Sequence, residues 1–225
     1  MNSALSRYLS ITASLLSALF VARGQGTFQN LGFEQANLPD VPAGQVGTDV
    51  SSTNGVPGWT TYIGGVQVTT ILHNGDTLGA PSIAILGPFW EFSTEILQGQ
   101  YTVRMRVNFL GTVIPGIAQF GMVPATAQSL RFWGTGALSV SFAGEQLPVS
   151  SLENTPDYVV YGADISSFAG QTGWLQFQGP GLLDNISFSE VAIPEPGVFG
   201  LFAVGALLSW WRTCRGGKAS NRRFA

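Results

Sequence analysis

The sequence predicts an all-β body, built as an antiparallel β-sandwich and flanked by two apolar ends. Three observations on this chain of 225 residues support the prediction. Short runs of β-branched and aromatic residues recur between Gly, Pro and Asn, helical periodicity is scarce, and turn residues separate the runs at roughly 10–20-residue intervals. Such spacing is typical of an antiparallel sandwich rather than a parallel α/β sheet.

The body occupies residues 25–193, between the two ends. In Tyr101–Phe109 the apolar side chains alternate with polar ones, which include Arg104 and Arg106. We therefore expect this strand to bury one face and expose the other to solvent. The predicted strands are Thr27–Phe33, Trp59–Tyr62, Val66–Leu72, Ser82–Leu86, Tyr101–Phe109, Ser129–Trp133, Leu138–Phe142, Asp157–Asp164, Gly173–Gln178 and Leu183–Phe188.

The N-terminal end has the pattern of a secretory signal peptide. Arg7 precedes an apolar stretch from Tyr8 to Ala22, which is too short for a comfortable membrane span. We assign residues 1–24 to the signal and place cleavage before Gln25, with cleavage after Ala22 as the alternative. The other interpretation is a buried N-terminal helix. A signal of this kind implies Sec-type export machinery as a partner.

The C-terminal end, residues 194–225, has three parts in order. Pro194, Glu195 and Pro196 come first, an apolar run follows over 197–211, and a basic tail fills 212–225. A helix over the apolar run would span about 22 Å, short of the roughly 30 Å hydrocarbon core, but interfacial Trp and snorkelling Arg side chains extend its reach. We predict one transmembrane helix. The positive-inside rule places in the cytoplasm the basic residues of the tail, which are Arg212, Arg215, Lys218, Arg222 and Arg223.

This arrangement resembles the PEP-CTERM sorting signal of exported bacterial proteins. The resemblance implies that an exosortase-like membrane enzyme recognises Pro194, Glu195 and Pro196 and removes the helix and the tail. It further implies a Gram-negative-type envelope and an association with exopolysaccharide. The protein would reside in the inner membrane during sorting and then at the cell surface or in the extracellular matrix. The alternative is a plain C-terminal anchor that contains these three residues by chance.

The charge distribution excludes one class of partner. Residues 25–193 contain three basic and twelve acidic side chains, a net charge of −9, and no lysine. Nucleic-acid binding is therefore not expected, because phosphate contacts need clustered Lys and Arg. The only cysteine, Cys214, lies in the basic tail, so the body can form neither a disulfide nor a cysteine-based metal site.

Three short motifs suggest a more specific fold for the body. Residues 30–34 read Asn-Leu-Gly-Phe-Glu, residues 57–59 read Pro-Gly-Trp, and residues 183–188 read Leu-Asp-Asn-Ile-Ser-Phe. Together they resemble the galactose-binding-like jelly roll of many carbohydrate-binding modules. The resemblance implies a jelly-roll sandwich in which the first and last strands are neighbours.

The same resemblance suggests a metal site. The neighbouring end strands would bring Glu34 and Asp184 together, and two carboxylates repel each other unless a cation bridges them. In the modules that the chain resembles, these positions commonly help to hold a structural Ca²⁺, which takes oxygen ligands. We therefore expect a structural calcium site at Glu34 and Asp184. The alternative is that both carboxylates cap turns or face solvent.

Aromatic residues are the candidates for ligand binding, because sugar rings stack their apolar faces on aromatic side chains. Trp90 follows a turn and is the candidate that we expect to be exposed. Trp59 and Trp174 have strand-like surroundings, and we expect both to pack in the core.

Catalytic motifs are scarce. The single histidine, His73, precedes Asn74-Gly75, which is typical of a hairpin turn. Glu91 and Glu95 are the obvious pair of carboxylates for glycoside hydrolysis, but their spacing is ordinary for a solvated loop. We expect a non-enzymatic surface protein that associates with glycan. The alternatives are a purely structural matrix protein and, with less support, a glycan hydrolase.

Overall fold

Residues 26–41, 45, 47–88 and 93–193 are described in the computed structural model of the chain. The predicted signal peptide and C-terminal sorting segment lie outside these residues. None of the helices within them is long and apolar enough to cross a membrane. The helices are short: α1 covers Ser52–Gly55, and single 3-10 turns cover Ser93–Glu95 and Ser166–Phe168.

The described residues form fourteen strands in two sheets, which confirms the all-β prediction. The strands are β1 Thr48–Ser51, β2 Thr60–Ile63, β3 Val66–Val68, β4 Thr70–His73, β5 Ser82–Leu86, β6 Thr102–Arg106, β7 Pro115–Met122, β8 Ser129–Gly134, β9 Ser139–Phe142, β10 Glu145–Leu147, β11 Val149–Asn154, β12 Val159–Asp164, β13 Thr172–Gln178 and β14 Gly181–Ser189.

One sheet has eight strands in the order β1-β4-β5-β6-β14-β8-β12-β11, and the other has six in the order β10-β9-β13-β7-β2-β3. Neighbouring strands run antiparallel, as predicted, with one exception. The exception is the pair β4 and β5, which is parallel. Asn74-Gly75, which follows β4, is therefore not the hairpin turn that the sequence suggested.

A single large core joins the two sheets. Phe132 on β8 and Phe177 on β13 belong to different sheets, and their rings meet edge to face with centroids 5.2 Å apart. Trp59 also packs on Phe177, with the rings tilted and 6.1 Å between ring centroids. Each of these side chains is buried, and burying a large apolar side chain contributes about 1.5–3 kcal/mol.

The opening segment is not the strand that we predicted over Thr27–Phe33. Asn30 and Phe33 both have positive φ angles, of 50° and 59°, which a strand does not allow. The Asn30 side chain accepts a hydrogen bond from the Gln35 N–H and donates one to the Pro57 carbonyl, which fixes this turn. Among the described residues, a single backbone hydrogen bond links the segment to the last strand, from the Ile186 N–H to the Leu31 carbonyl.

Strand β7 was missed at the sequence level, as were β1, β10 and β11. Its sequence, Pro-Gly-Ile-Ala-Gln-Phe-Gly-Met, looks like a loop because of its Pro and Gly residues. At both glycines, close neighbours leave no room for a side chain, and neither glycine is needed to form a turn. A Cβ at Gly121 would lie 2.7 Å from the Phe28 ring, and one at Gly116 would lie 2.8 Å from the Gln178 side chain.

The outward side of β6 is not exposed to solvent as predicted. Thr102 and Arg104 are buried there, and only Arg106 is exposed. The reason is a covering segment, residues 93–101, which packs Ile96 and Leu97 against a small second core on the outer face of the eight-stranded sheet. That core consists of Ala84, Leu86 and Leu182.

Candidate functional site

The outer face of the six-stranded sheet carries an exposed tryptophan. The alternation along β13 directs Gly173, Leu175 and Phe177 into the core and leaves Trp174 on the outside, 46% exposed. The prediction that Trp174 packs in the core is therefore wrong. Trp59, in contrast, is buried as expected, and its indole N–H donates to the Asn30 carbonyl at 3.1 Å.

Trp174 is part of a small apolar group on this face. Phe120 on β7 lies directly opposite it in the ladder, and the two rings meet edge to face with centroids 5.5 Å apart. Phe120 is 57% exposed, and Met122, two residues further along β7, is 40% exposed. We call Phe120, Met122 and Trp174 the aromatic platform. Exposed apolar side chains in contact with one another on a sheet face are candidates for an interaction surface.

The side chains around the aromatic platform are uncharged. The strand register places Ala118 beside Thr60 and Gln176, and it places Gly116 beside Tyr62 and Gln178. In the six strands of this sheet the only charged residue is Glu145, whose ladder partner Phe142 is a core residue. The outward positions are Thr60, Tyr62, Gln67, Gly116, Ala118, Phe120, Met122, Ser139, Ser141, Gln146, Thr172, Trp174, Gln176 and Gln178.

This combination suits a neutral polyhydroxylated ligand. Aromatic rings offer apolar faces for the C–H groups of a sugar ring, while amide and hydroxyl side chains both donate and accept hydrogen bonds. Without charged groups on the face, binding would not require the desolvation of an ion.

The two predicted metal ligands bind the same segment of chain. The Glu34 carboxylate accepts hydrogen bonds from the backbone N–H groups of Gln100, at 2.9 Å, and Tyr101, at 3.2 Å. Asp184 Oδ2 accepts from the Gln98 N–H at 3.0 Å and from the Thr102 hydroxyl at 2.7 Å. Both carboxylates therefore hold residues 98–102 in place, the end of the covering segment and the start of β6.

Asp184 is fully buried on β14. The pairing of β14 with β8 is irregular next to it, with a register shift between Asp184 and Ser187. Burial raises its pKa to about 7, although hydrogen bonds from Thr102, Asn185 and Gln98 oppose the rise. The negative charge of Glu34 raises that pKa further. The two carboxylates are thus near enough to interact, and a cation between them would relieve the repulsion.

Within the described residues, no group of three or more His, Cys, Asp or Glu side chains could hold a metal ion. A calcium ion at Glu34 and Asp184 would therefore need backbone carbonyls or water for its remaining oxygen ligands. The two carboxylates fit the chemistry of such a site but do not complete it.

A charged cluster occupies the outer face of the eight-stranded sheet. Arg104 donates to Glu95 at 3.0 Å and to the Gly75 carbonyl at 2.6 Å, and Arg106 pairs with Asp76 at 2.9 Å. A cavity of about 430 Å³ lies beside the cluster. Its walls include Glu95, Arg104, Arg106, Thr135, Pro180 and Leu182. Glu95 is thus paired with an arginine, unlike the solvated loop residue that its sequence context suggested.

His73 ends β4 and is buried. Its Nδ1 has no hydrogen-bond partner within the described part of the chain. Burial lowers its pKa, although a backbone hydrogen bond to Pro39 and the charge of Asp40 oppose this effect. The neutral imidazole is therefore a packing residue beside β5.

The remaining predicted site residues lie outside the described part of the chain. They are the ligand-binding candidate Trp90, its neighbour Glu91, the sorting motif Pro194, Glu195 and Pro196, and the basic residues Arg212, Arg215, Lys218, Arg222 and Arg223. The aromatic platform was missed because Phe120 lies in a strand that was not predicted. The signal that could have revealed it is the alternation of Gly173, Leu175 and Phe177 around Trp174.

Comparison with known proteins leaves the site to be interpreted from its own chemistry. The chain matches no family model, no curated protein and no solved structure.

Proposed function

We propose that this protein is an exported, non-enzymatic cell-surface or matrix protein that associates with exopolysaccharide or another glycan through its aromatic platform. The observation that carries the proposal is the exposed pair of Phe120 and Trp174 within a sheet face that has no outward charge. Contiguous apolar side chains exposed on a folded protein are typical of interaction sites, and the rings of Phe120 and Trp174 are in contact.

A jelly-roll arrangement of the body is part of this proposal. Its support is the alternation of successive strands between the sheets: β6 and β8 belong to the eight-stranded sheet, while β7 and β9 belong to the six-stranded sheet. Links that cross from sheet to sheet in this way are typical of jelly rolls. The fold by itself does not supply the function, which rests on the platform.

Export and sorting are proposed from the sequence of the two ends. Residues 1–24 would direct export by Sec-type machinery. Residues 194–225, with a membrane helix over 197–211, would hold the protein in the inner membrane until an exosortase-like enzyme cuts near Pro194–Pro196. The mass of the protein released from the cell surface tests this part. Termination near Pro194–Pro196 supports sorting, whereas retention of Arg222 and Arg223 contradicts it.

Affinity electrophoresis tests the glycan part. The full-length protein is run through native gels that contain neutral or acidic polysaccharides, beside the variants Trp174→Ala and Phe120→Ala. We expect a neutral polysaccharide to retard the wild-type protein and each of these substitutions to abolish the retardation. The matched control is Phe109→Ala, which removes a phenylalanine that is 90% exposed but lies away from the platform. This variant should migrate like the wild-type protein.

The same experiment separates the alternatives. A structural matrix protein without glycan affinity would show no retardation on any polysaccharide, and self-assembly that Trp174→Ala weakens would then assign the platform to contacts between copies. Turnover on a glycan panel, lost when a carboxylate is removed, would indicate a hydrolase. Equal retardation of the wild-type, Trp174→Ala and Phe120→Ala proteins would show that the platform is not the glycan site.

A further inference from the structure

Five exposed apolar side chains lie on or directly beside three neighbouring loops at one end of the body. Leu78 is 108% exposed, Phe109 90% and Leu110 77%, and the group is completed by Val66 at 68% and Ile114 at 37%. We call these five residues the apolar tip. Val66 begins β3 directly after the β2–β3 turn, Leu78 lies in the loop before β5, and Phe109, Leu110 and Ile114 lie in the loop between β6 and β7.

The three loops are tied together by backbone hydrogen bonds. The Phe109 N–H donates to the Gly79 carbonyl at 2.9 Å, and the Gly64 N–H donates to the Ile114 carbonyl at 2.9 Å. Within the longest loop, the Asn108 side chain accepts from the N–H groups of Thr112 and Val113. The loops are therefore held in place, and the exposure of their apolar side chains is a property of the folded body.

The apolar tip is free of charge. Residues 77–80 and 107–114 contain no Asp, Glu, Lys or Arg. The nearest charged residues in sequence are Asp76 and Arg106, and they neutralise each other in an ion pair at the base of the loops. Charge-free apolar loop ends would avoid the cost of bringing an ion into an apolar medium.

The shape of the tip indicates which medium it suits. Leu78 and Phe109 project from loops and are exposed almost completely, so a rigid flat partner would cover only one side of each. A fluid apolar phase surrounds every projecting side chain, and the interface of a lipid bilayer offers such a phase within the first 5–10 Å or so. Aromatic residues such as Phe109 are favoured at that depth.

We propose that the apolar tip inserts into the interfacial region of a lipid bilayer and gives the body a membrane contact of its own. The net charge of −9 in residues 25–193 repels anionic headgroups, so the proposal specifies a zwitterionic lipid surface. This contact uses residues of the body alone and none of the proposed C-terminal membrane helix. Strand β14 begins beside Met105 near the tip and ends at Ser189, which pairs with Ser129 at the other end of the sheet.

A fluorescent label at the tip tests the proposal. An environment-sensitive fluorophore is attached to Leu78→Cys in the full-length chain, with Cys214→Ser removing the native thiol. The protein is mixed with an excess of phosphatidylcholine vesicles, with and without brominated acyl chains. We expect the emission to shift to the blue and to be quenched by the brominated lipid. A matched label at Ala125→Cys, on an exposed turn at the opposite end, should show neither change.

A second variant keeps the label and removes its apolar neighbours. Phe109→Ser with Leu110→Ser should abolish the blue shift at Leu78→Cys. Because both side chains are exposed, the fold should be retained, which circular dichroism would check. A label that stays in water with excess vesicles would overturn the proposal. A blue shift that needs no vesicles and grows with protein concentration would also overturn it, since the tip would then bind a second copy. Neither result would alter the glycan test, which depends on Phe120 and Trp174.

Discussion

The outer faces of the two sheets differ in which side chains they expose to solvent. The eight-stranded sheet buries Thr102, Arg104 and Asp184 on its outer side, beneath or beside a segment that packs Ile96 and Leu97 against the strands. The six-stranded sheet leaves Phe120 and Trp174 uncovered. One face thus hides its polar groups and the other exposes its apolar ones.

This contrast shows that the polarity of a strand does not by itself decide which side meets water. On β6 the polar side is buried because the covering segment supplies partners there: Glu95 accepts from Arg104, and the Leu97 N–H donates to Thr102. On the neighbouring strand β14, Asp184 accepts from the Gln98 N–H of the same segment. On β13 no described segment covers the outer side, so Trp174 remains available for binding. The first face therefore serves stability, and the second is the candidate for recognition.

The largest expected effect on the free energy of unfolding comes from removing a buried polar side chain of the covered face. Arg104→Ala removes the hydrogen bonds from the guanidinium to Glu95 and to the Gly75 carbonyl, together with its ion pair with Asp76 at 3.8 Å. We expect a loss of about 3–5 kcal/mol in the free energy of unfolding, measured by urea denaturation. The control is Gln176→Ala on the uncovered face, which should change stability by no more than about 0.5 kcal/mol. Equal losses from the two substitutions would remove the contrast.

Asp184 makes the stability of the covered face depend on pH. Its pKa is about 7 in the folded protein against an ordinary value of 3.8, so the folded state binds this proton more tightly than the unfolded state. The contribution of Asp184 is therefore complete below about pH 4 and is lost as the pH rises to 7, by up to about 1.4 kcal/mol per pH unit. Urea denaturation between pH 5 and pH 8 measures this slope. Asp184→Asn should flatten it, and a slope unchanged in that variant would assign it to other groups.

Calcium should act on the same pair of carboxylates. If Ca²⁺ binds Glu34 and Asp184 it favours the ionised Asp184, so it should raise the melting temperature most at pH 8. A concentration about 100-fold above Kd would contribute about 2.7 kcal/mol. Thermal melts with Ca²⁺ and with EDTA provide the measurement, and Glu34→Gln provides the control. Identical melting midpoints would exclude the calcium site.

The smallest expected effect on stability comes from the platform itself. Trp174→Ala removes a side chain that is 46% exposed and contacts Phe120 at the edge of its ring. We expect a loss of less than about 1.5 kcal/mol, because only part of the ring is buried and one aromatic pair is lost. Urea denaturation measures it, beside the buried counterpart Trp59→Ala, for which about 3–5 kcal/mol is expected. A similar cost at both positions would make Trp174 a structural residue.

Much of the fold could be predicted from alternation and turn residues. Ser82–Leu86 was predicted with its observed bounds, and Ser129–Trp133 and Gly173–Gln178 lie within a residue of theirs. Strand β7 could not be predicted, because its glycines make room for Phe28 and Gln178, and these residues lie far away in sequence. The strand prediction for the opening segment is wrong for the opposite reason. The segment has the composition of a strand, but the chain turns at Asn30 and Phe33.

The candidate site was harder to predict than the fold. Whether Trp174 faces the core depends on which of its alternating neighbours packs against the other sheet, and the sequence of β13 is rich in large side chains on both sides. The burial of Arg104 depends on residues 93–101, whose path over the sheet is set by tertiary contacts. At Trp174 the alternation of Leu175 and Phe177 is the one local signal, and no local pattern indicates the burial of Arg104.

The position of β14 has a mechanical consequence. This strand is bonded on one side to β6 and on the other to β8, both antiparallel to it, and the chain leaves the described body shortly after it, at Ile193. A pull on the C-terminal segment would run along β14 and would load its pairing with β8 at Ser187–Ser189 before its pairing with β6, which covers Gly181–Leu183. A body tethered through its C-terminus would thus resist extension with its most central strand.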